Sequence, residues 1–441
     1  MKNNQSNFFF WDKIKENNYT CFDTLSYSIS ADIAIIGGGI LGLSVAIGAG
    51  ESGLKVILLE KNQIGNGASG INSGFIVPKL RPLPSKKTLF QTLGKDNSET
   101  FMELVNSSGD KLISEIKKNN IQCQLNTNGW ISAAHSIHIS ELQKLEYAKE
   151  VSERTDIKLL NKNELEMITG LNHWHGGILY KSGGSLNPKA YCEGLSKVAA
   201  NLGVKIFENS GVKKIVEKNG HIYLTVNNYE VNAKKIVLAT NALSGSLFPL
   251  DSQTFMKINI FQGVTRQLPE ELKQYVLPAN TVLTDTSPIQ IAIRWTPDNR
   301  ILTGGILRLG LGSKQALAKH IFGKRLKNIL SPVIKQFNFS PNLLDIEYVW
   351  SGSVALTKTG LPQIFKISDL ASSIISCNGR GVALGSSIGK IYGGYLTQNL
   401  SKNYANLIES ISCPPAKYFA ANLIKLGAPV WALWNEIRQK F

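Results

Sequence analysis

The chain is poor in the residue types that brace a fold from outside or hold a metal. Its five cysteines, Cys21, Cys123, Cys192, Cys377 and Cys413, are far apart, odd in number and form no Cys-x-x-Cys pair. That argues against a disulfide framework and a structural zinc site, and it fits a reducing compartment. Histidines number six. His173 and His175 in "NHWHGG" have no third ligand nearby, and they read as loop histidines, as do His135 and His138. No Ser-His-Asp or Cys-His arrangement can be assembled. No apolar run reaches the roughly 20 residues that cross a bilayer. The start, "MKNNQSNFFFWDKIKENN", has too short an apolar patch for a signal peptide and no small-residue cleavage site. The expected location is the cytoplasm. Internal repeats and low-complexity linkers are missing as well.

What is present is ordinary for a globular protein of two domains: 441 residues, 43% hydrophobic and 18% charged. The formal net charge is +16, but the lysines come in short groups such as Lys86-Lys87, Lys117-Lys118, Lys213-Lys214 and Lys234-Lys235. Such groups read as solvated faces. No basic stripe with interleaved aromatics marks a nucleic-acid surface.

The strongest local signal is "SADIAIIGGGILGLSVAIGAGESGLKVILLEK", Ser30 to Lys61. "DIAII" is a short apolar run, as expected of a strand buried on both faces. Gly37, Gly39 and Gly42 follow as G-x-G-x-x-G. The first permits a tight turn, the second clears space for a pyrophosphate, and the third lets a helix pack close to the strand. The helix N-terminus offers amides and a positive dipole end to phosphate oxygens. "KVILLE" reads as a second strand, and Glu60 at its end can accept from ribose hydroxyls. This context predicts a dinucleotide site without separating FAD from NAD.

The next stretch, "QIGNGASGINSGFIVPKL" (Gln63 to Leu80), is dense in Gly, Ser and Asn. Here the chain resembles the D-amino-acid-oxidase-like FAD-dependent oxidoreductases, a family that includes glycine, sarcosine and amine oxidases. Gly65, Gly67, Ala68, Ser69, Gly70, Asn72 and Gly74 match that family's "G-x-G-A-S-G-R-N-x-G" loop, with Ile71 in place of the arginine. "GGSLNPKAYCEGLSKVAANLGVKIFENSGVKKI" has Pro188 at a helix start and leads to Val212; "KIVLATNALS" is a buried strand entering a small-residue loop, with Asn241 where glycine is common. "SCNGRGVALGSSIGK" resembles the family's C-terminal glycine motif. The resemblance spans about residues 30 to 395, with four motifs in the family's order.

The implied fold class is α/β plus α+β: a discontinuous Rossmann-like FAD-binding domain with an inserted antiparallel-sheet substrate domain. The expected segments are 1–90, 176–250 and 345–400 for FAD, 91–175 and 251–344 for substrate, and 401–441 as a C-terminal helical tail. That amphipathic tail would touch a membrane at most peripherally. Cofactor contacts are expected from Gly37, Gly39, Ile40, Gly42, Glu60 and Lys61, then from Gly67, Ala68, Ser69, Asn72 and Gly74. Val212, Ala239, Gly379, Arg380, Gly381 and Val382 complete the set.

The resemblance also implies chemistry. A hydride leaves the carbon next to an amine for the flavin, and the imine hydrolyses. The expected partner is therefore a small-molecule amine. Amino-acid oxidases of the family clamp the substrate carboxylate with an arginine just after "W-x-G"; in "VWSGSVALTKTGLP" Val354 stands there. That disfavours glycine or D-amino acids. Together with "FFFWD" and the loop, it makes the chain most similar to the gamma-glutamylputrescine oxidase branch. Arg266 and Arg294, on predicted substrate-domain strands, can bind a remote carboxylate, Arg266 being the candidate. No cysteine lies in Gly352 to Leu356, where some members attach flavin, so non-covalent FAD is expected, with Cys377 a small buried residue. "RILTGG" lacks the lysine with which sarcosine-oxidase-like members activate oxygen. The electron acceptor is left as oxygen or a quinone or carrier. The alternatives are a flavoprotein acting on a tRNA wobble-base amine, for which nucleic-acid binding is not expected from the charge pattern, and an amino-acid oxidase or dehydrogenase.

Overall fold

The computed structural model describes residues 10–14, 19, 21–80, 86–242, 255–287, 290–308, 315–357, 359–376 and 378–414. Cys377 and most of the expected tail, residues 415–441, lie outside the described residues; within the tail region the chain forms the helix Lys402–Ser410.

The apolar run predicted as a buried strand forms β1, Ile29–Ile36. Its side chains alternate between two cores. Ile33 and Ile35 join one with Leu58 and Val237, whereas Ala34 and Ile36 join another with Leu224 and Ile236. The glycine turn then opens helix α1, Ile40–Gly50, and the chain returns as β2, Val56–Leu59. β1 pairs in parallel with β2 and with Tyr229–Leu238. These belong to a nine-stranded sheet, in which the strands Val212–Lys218 and His221–Val226 form an antiparallel extension from Tyr229–Leu238.

After β2 comes a one-turn helix, α2, Ala68–Ile71. Two long strands build the edge of a second, eight-stranded sheet: β3, Met256–Thr265, antiparallel to β4, Ile346–Leu356. The order continues through Ile301–Arg308, Ala292–Trp295, Val282–Asp285, Trp130–Ala133, Gly177–Tyr180 and Ile157–Leu160. This sheet is antiparallel except where Val282–Asp285 runs parallel to Trp130–Ala133.

Sheet membership cuts across the expected segment limits. Gly177–Tyr180 and β4, expected on the FAD side, are strands of the eight-stranded sheet. The helix Lys95–Lys118, expected on the substrate side, turns Phe101, Leu104, Val105, Leu112 and Ile116 into the core of α1. Its apolar stripe needs a helical partner, and the α1 layer supplies one.

The last motif opens helix α3, Ala383–Leu396, which lies along α1 in the same direction. Contact is backbone to backbone. A Cβ on Gly48 would sit 2.2 Å from the Lys390 carbonyl oxygen, one on Gly393 2.4 Å from that of Val45, and one on Gly389 2.7 Å from that of Leu41. No heavy atom larger than hydrogen fits at such distances, so these glycines set the helix spacing. Among the described residues, no helix is long and apolar enough to cross a membrane. Replacing Gly48 by alanine forces the helices apart, and overpacking of this kind costs about 1–3 kcal/mol. Gly48→Ala is therefore expected to lower the thermal midpoint of unfolding and to loosen flavin at the same time, checked by melting with and without added FAD.

Candidate active site

The end of β1 is built for close approach. Gly37 has φ 115, a conformation that favours glycine, and its amide donates to the Leu59 carbonyl at 2.9 Å. A Cβ on Gly42 would lie 2.0 Å from the Gly37 carbonyl oxygen. The third glycine of the motif thus packs helix against turn, as its position predicted. Gly39 caps α1 without a side-chain hydrogen bond. Ser69 Oγ accepts from the Ile40 amide at 3.0 Å, tying α2 to the N-terminus of α1.

Glu60 ends β2 with its carboxylate accepting from the Gly38 amide at 2.7 Å and the Asn62 amide at 2.9 Å. Burial raises its carboxyl pKa above the usual range, against those two bonds. Lys61 beside it is exposed and flanks Gly211, next to Val212. The expected nucleotide end, Glu60, Lys61 and Val212, is thus gathered at one corner of the sheet.

Between the two sheets lies a cavity of about 460 Å³. From the glycine motifs it takes Gly39, Ile40, Ala68, Ser69 and Asn72, with Ala239 and, from the last motif, Gly379, Arg380, Gly381 and Val382. Ten expected residues therefore share one wall. Gly37, Gly42 and Gly74 stand behind it as turn and packing positions, whereas Gly67 is exposed and caps α2. From the eight-stranded sheet come Ile258, Ile260 and Gln262 of β3 and Gly352, Val354 and Leu356 of β4. Their period of two, with Ile258 opposite Val354 and Ile260 opposite Gly352, sends one face of the hairpin into the cavity. Thr284, Ser287 and Gln290 add hydroxyl and amide groups.

The loop after α2 is latched from three directions. Trp11 Nε1 donates to the Asn72 carbonyl at 2.8 Å, and Trp350 Nε1 to the Ile71 carbonyl at 2.7 Å. Arg294 Nη1 donates to the carbonyls of Ser73 and Leu186, both at 2.9 Å. Asn72 closes the turn internally, accepting from the Gly74 amide at 2.7 Å and donating to the Ser69 carbonyl at 2.6 Å. Ile71, at the position of the family's arginine, lines the cavity beside Gly352.

Neither Arg266, the candidate for a substrate carboxylate, nor Arg294 lines the cavity. Arg266 follows the end of β3, exposed, four residues beyond Gln262, and does not line the cavity. Four extended residues carry the chain about 13 Å past Gln262, so Arg266 gains no support as a carboxylate ligand. Arg294 is buried at 2% exposure under the loop, and its guanidinium stacks 5.1 Å over Trp11. Burial pushes its pKa down to about 9, and its hydrogen bonds are spent on backbone carbonyls. Arg294 is a positioning residue for the loop. Among the described residues, no group of three or more His, Cys, Asp or Glu is placed to hold a metal ion.

The lining also holds residues the sequence reading passed over: Gln262, Thr284, Gln290 and Asn378. Two have buried atoms without a partner, Gln262 Oε1 and Asn378 Nδ2. Gln262 lay unread inside a strand pattern. Asn378 carried a weak signal, an asparagine beside glycine at the head of a glycine motif.

These features fit FAD. The first turn of α1 and Ser69 form a wall that a Cβ on Gly39 would fill, 2.6 Å from Ser69 Oγ. Glu60 ends β2 beside the glycine turn, where a ribose-side carboxylate is expected, and the N-terminus of α3 and an unpaired donor face the cavity. Gly39 has φ −88, which alanine can adopt, so its substitution acts by volume alone. Gly39→Ala is expected to weaken FAD binding at least about tenfold, roughly 1.4 kcal/mol, with a smaller effect on melting of the flavin-free protein; titration of apoprotein with FAD measures it.

Comparison with known proteins agrees with this geometry. The family model described as "FAD dependent oxidoreductase", the DAO family, matches residues 32–393. The chain is 27% identical over 427 residues to gamma-glutamylputrescine oxidoreductase of Escherichia coli, covering 96% of each chain. It is 28% identical over 377 residues to a probable oxidoreductase OrdL of Haemophilus influenzae, covering 84% of each. In fold it is similar to glycine oxidase from Geobacillus kaustophilus, with TM-score 0.69 at 17% identity, over 85% of this chain and 96% of that one. L-proline dehydrogenase from P. horikoshii gives TM-score 0.68 at 17% identity, over 85% and 95%. With the glycine turn, the loop after β2 and the α3 motif converging on one cavity, this chain belongs to the DAO family of FAD-dependent oxidoreductases.

Proposed function

We propose that this enzyme oxidises the C–N bond of a primary or secondary amine that lacks a carboxylate on the reacting carbon. FAD supplies the redox chemistry by accepting the hydride, and the resulting imine hydrolyses to a carbonyl compound and a smaller amine or ammonia. The protein's share is to hold the amine, keep water from the reacting face and leave the amine nitrogen neutral.

Val354 carries the reading. It occupies the cavity wall at the position where the resemblance places a carboxylate-binding arginine. Around it stand Phe75, Val77, Ile258, Ile260, Ala292 and Leu356. Among the described residues, Arg380 is the one cationic side chain in the lining, and its guanidinium lies 5.8 Å over the Trp130 ring, a cation–π arrangement. A substrate carboxylate next to Val354 would be desolvated without a bidentate partner, which costs several kcal/mol. An uncharged or amide-bearing arm meets Gln262, Gln290 and Thr284 instead. The similarity to gamma-glutamylputrescine oxidoreductase over nearly the whole chain supports an amine as substrate.

Anaerobic mixing of the purified flavoprotein with a panel of substrates tests this. Bleaching by N-alkylated amines or polyamines at least about 100-fold faster than by glycine or D-alanine is expected, a difference of roughly 2.7 kcal/mol in barrier. The reverse order overturns the reading. Admission of air, then of a quinone, to the reduced protein assigns the electron acceptor.

We also propose that the FAD is bound without a covalent link. Gly352 to Leu356 hold no cysteine, and none of the described cysteines lines the cavity. Precipitation with acid should release all of the yellow colour into the supernatant; colour retained in the pellet would refute it.

A further inference from the structure

We propose that Asn378 contacts the flavin itself, its side-chain Nδ2 donating a hydrogen bond to the pyrimidine part of the bound ring system. Asn378 is 9% exposed and sits in the left-handed region at φ 39, which asparagine tolerates better than most residues. Its amide has one orientation. The Thr357 backbone amide donates to Oδ1 at 2.8 Å, and a backbone N–H can only donate, so that end must be the oxygen. The Thr357 hydroxyl, which also donates to the Leu361 carbonyl at 2.6 Å, lies 3.2 Å from the same Oδ1. The NH₂ end therefore points the other way, and Nδ2 has no hydrogen-bond partner. A buried donor left unpaired costs about 1–3 kcal/mol. The fold fixes this one in place without using it.

The surroundings name the ligand. Asn378 lines the cavity with Ser376, Gly379, Arg380, Gly381 and Val382, the last of these at the N-terminus of α3. They share that lining with Gly39 and Ile40 of the dinucleotide motif. The polar groups that face a substrate, Gln262, Thr284, Ser287 and Gln290, come from the eight-stranded sheet and its connections. Two-electron reduction gathers negative charge on the flavin's pyrimidine ring. A rigid donor in a dry site, next to a helix N-terminus, stabilises that charge more than the neutral oxidised ring. Asn378 thus favours the reduced state, whatever amine delivers the electrons, so the inference rests on the FAD site and not on the substrate reading.

Asn378→Asp separates the two ends of the amide. It keeps an oxygen for Thr357 and replaces the donor by an acceptor. We expect reduced flavin to be destabilised relative to oxidised flavin at least tenfold, a midpoint potential about 30 mV lower for a two-electron couple, and a sulfite adduct at least tenfold weaker. Should the aspartate variant not fold, Asn378→Gly, which also accepts the positive φ, is expected to shift potential and sulfite affinity in the same direction. If the aspartate variant folds but retains no flavin, a tenfold or greater loss of FAD affinity on titration supports the contact equally. Wild-type potential, sulfite affinity and FAD affinity in the variant that folds would overturn it, and so would a change confined to KM for the amine.

Discussion

The site depends on how closely two helices can approach. α1 and α3 touch through glycine, with carbonyl oxygens of one helix where Cβ atoms of the other would be. Because they run in the same direction, both present N-terminal first turns to one cavity. Each N-terminus carries free amides and a partial positive charge. One comes from the dinucleotide motif and the other from a motif more than 300 residues later, so a single anionic ligand can be held between distant parts of the chain. The small residues of both motifs therefore have two jobs. Some clear space for the ligand, as Gly39 does. Others, such as Gly42, Gly48, Gly389 and Gly393, bring the walls together.

The second constraint is the loop that follows α2. A segment rich in glycine and serine gains little from its own side chains, so its shape is imposed from outside. Trp11, Trp350 and Arg294 each donate to a different carbonyl of that loop, from the N-terminal segment, from β4 and from the strand Ala292–Trp295. Phe10 stacks on Trp350 at 5.4 Å, and Arg294 on Trp11 at 5.1 Å, so the donors also support one another. Around the buried arginine, the carbonyl dipoles of Trp295, Ser73 and Leu186 and the ring of Trp11 replace water.

Much of this was legible because glycine spacing and strand context report backbone geometry directly. Gly37, Gly39 and Gly42 could be read as a turn, a cleared surface and a packing contact, and the family shown by comparison agrees with the loop and the last glycine motif. Less legible was anything decided by sheet order. Gly177–Tyr180 has a composition that suits either sheet, and only long-range pairing with Trp130–Ala133 places it. The role of Arg294 was left open because a strand pattern gives a side chain's face but not what covers it. The place of Arg266 was hidden for a related reason: a strand pattern does not say how far along the strand the cavity reaches. Gln262 was hidden, and Asn378 showed only as an asparagine beside glycine, because the lack of a partner for an amide leaves no sequence signature. It appears only when all neighbouring donors and acceptors are accounted for.

The division of polar groups across the cavity bears on selectivity. On the nine-stranded side they are amides, hydroxyls and Arg380, next to two helix N-termini, an environment that favours negative charge. On the eight-stranded side they are neutral, from Gln262, Thr284, Ser287 and Gln290, set among Ile258, Ile260, Val354 and Leu356. The chain's net charge of +16 is thus largely kept out of the cavity. A substrate anion near the reacting carbon would find the lining's one cationic side chain, Arg380, held over the Trp130 ring and the other end apolar. A neutral amine finds the opposite: it crosses the apolar wall at low desolvation cost, and loss of hydride from its carbon moves negative charge toward the side that the helix ends stabilise. On the proposed reading, selection against carboxylates and stabilisation of reduced flavin would both follow from one asymmetry, with the charge-stabilising groups on the nine-stranded side.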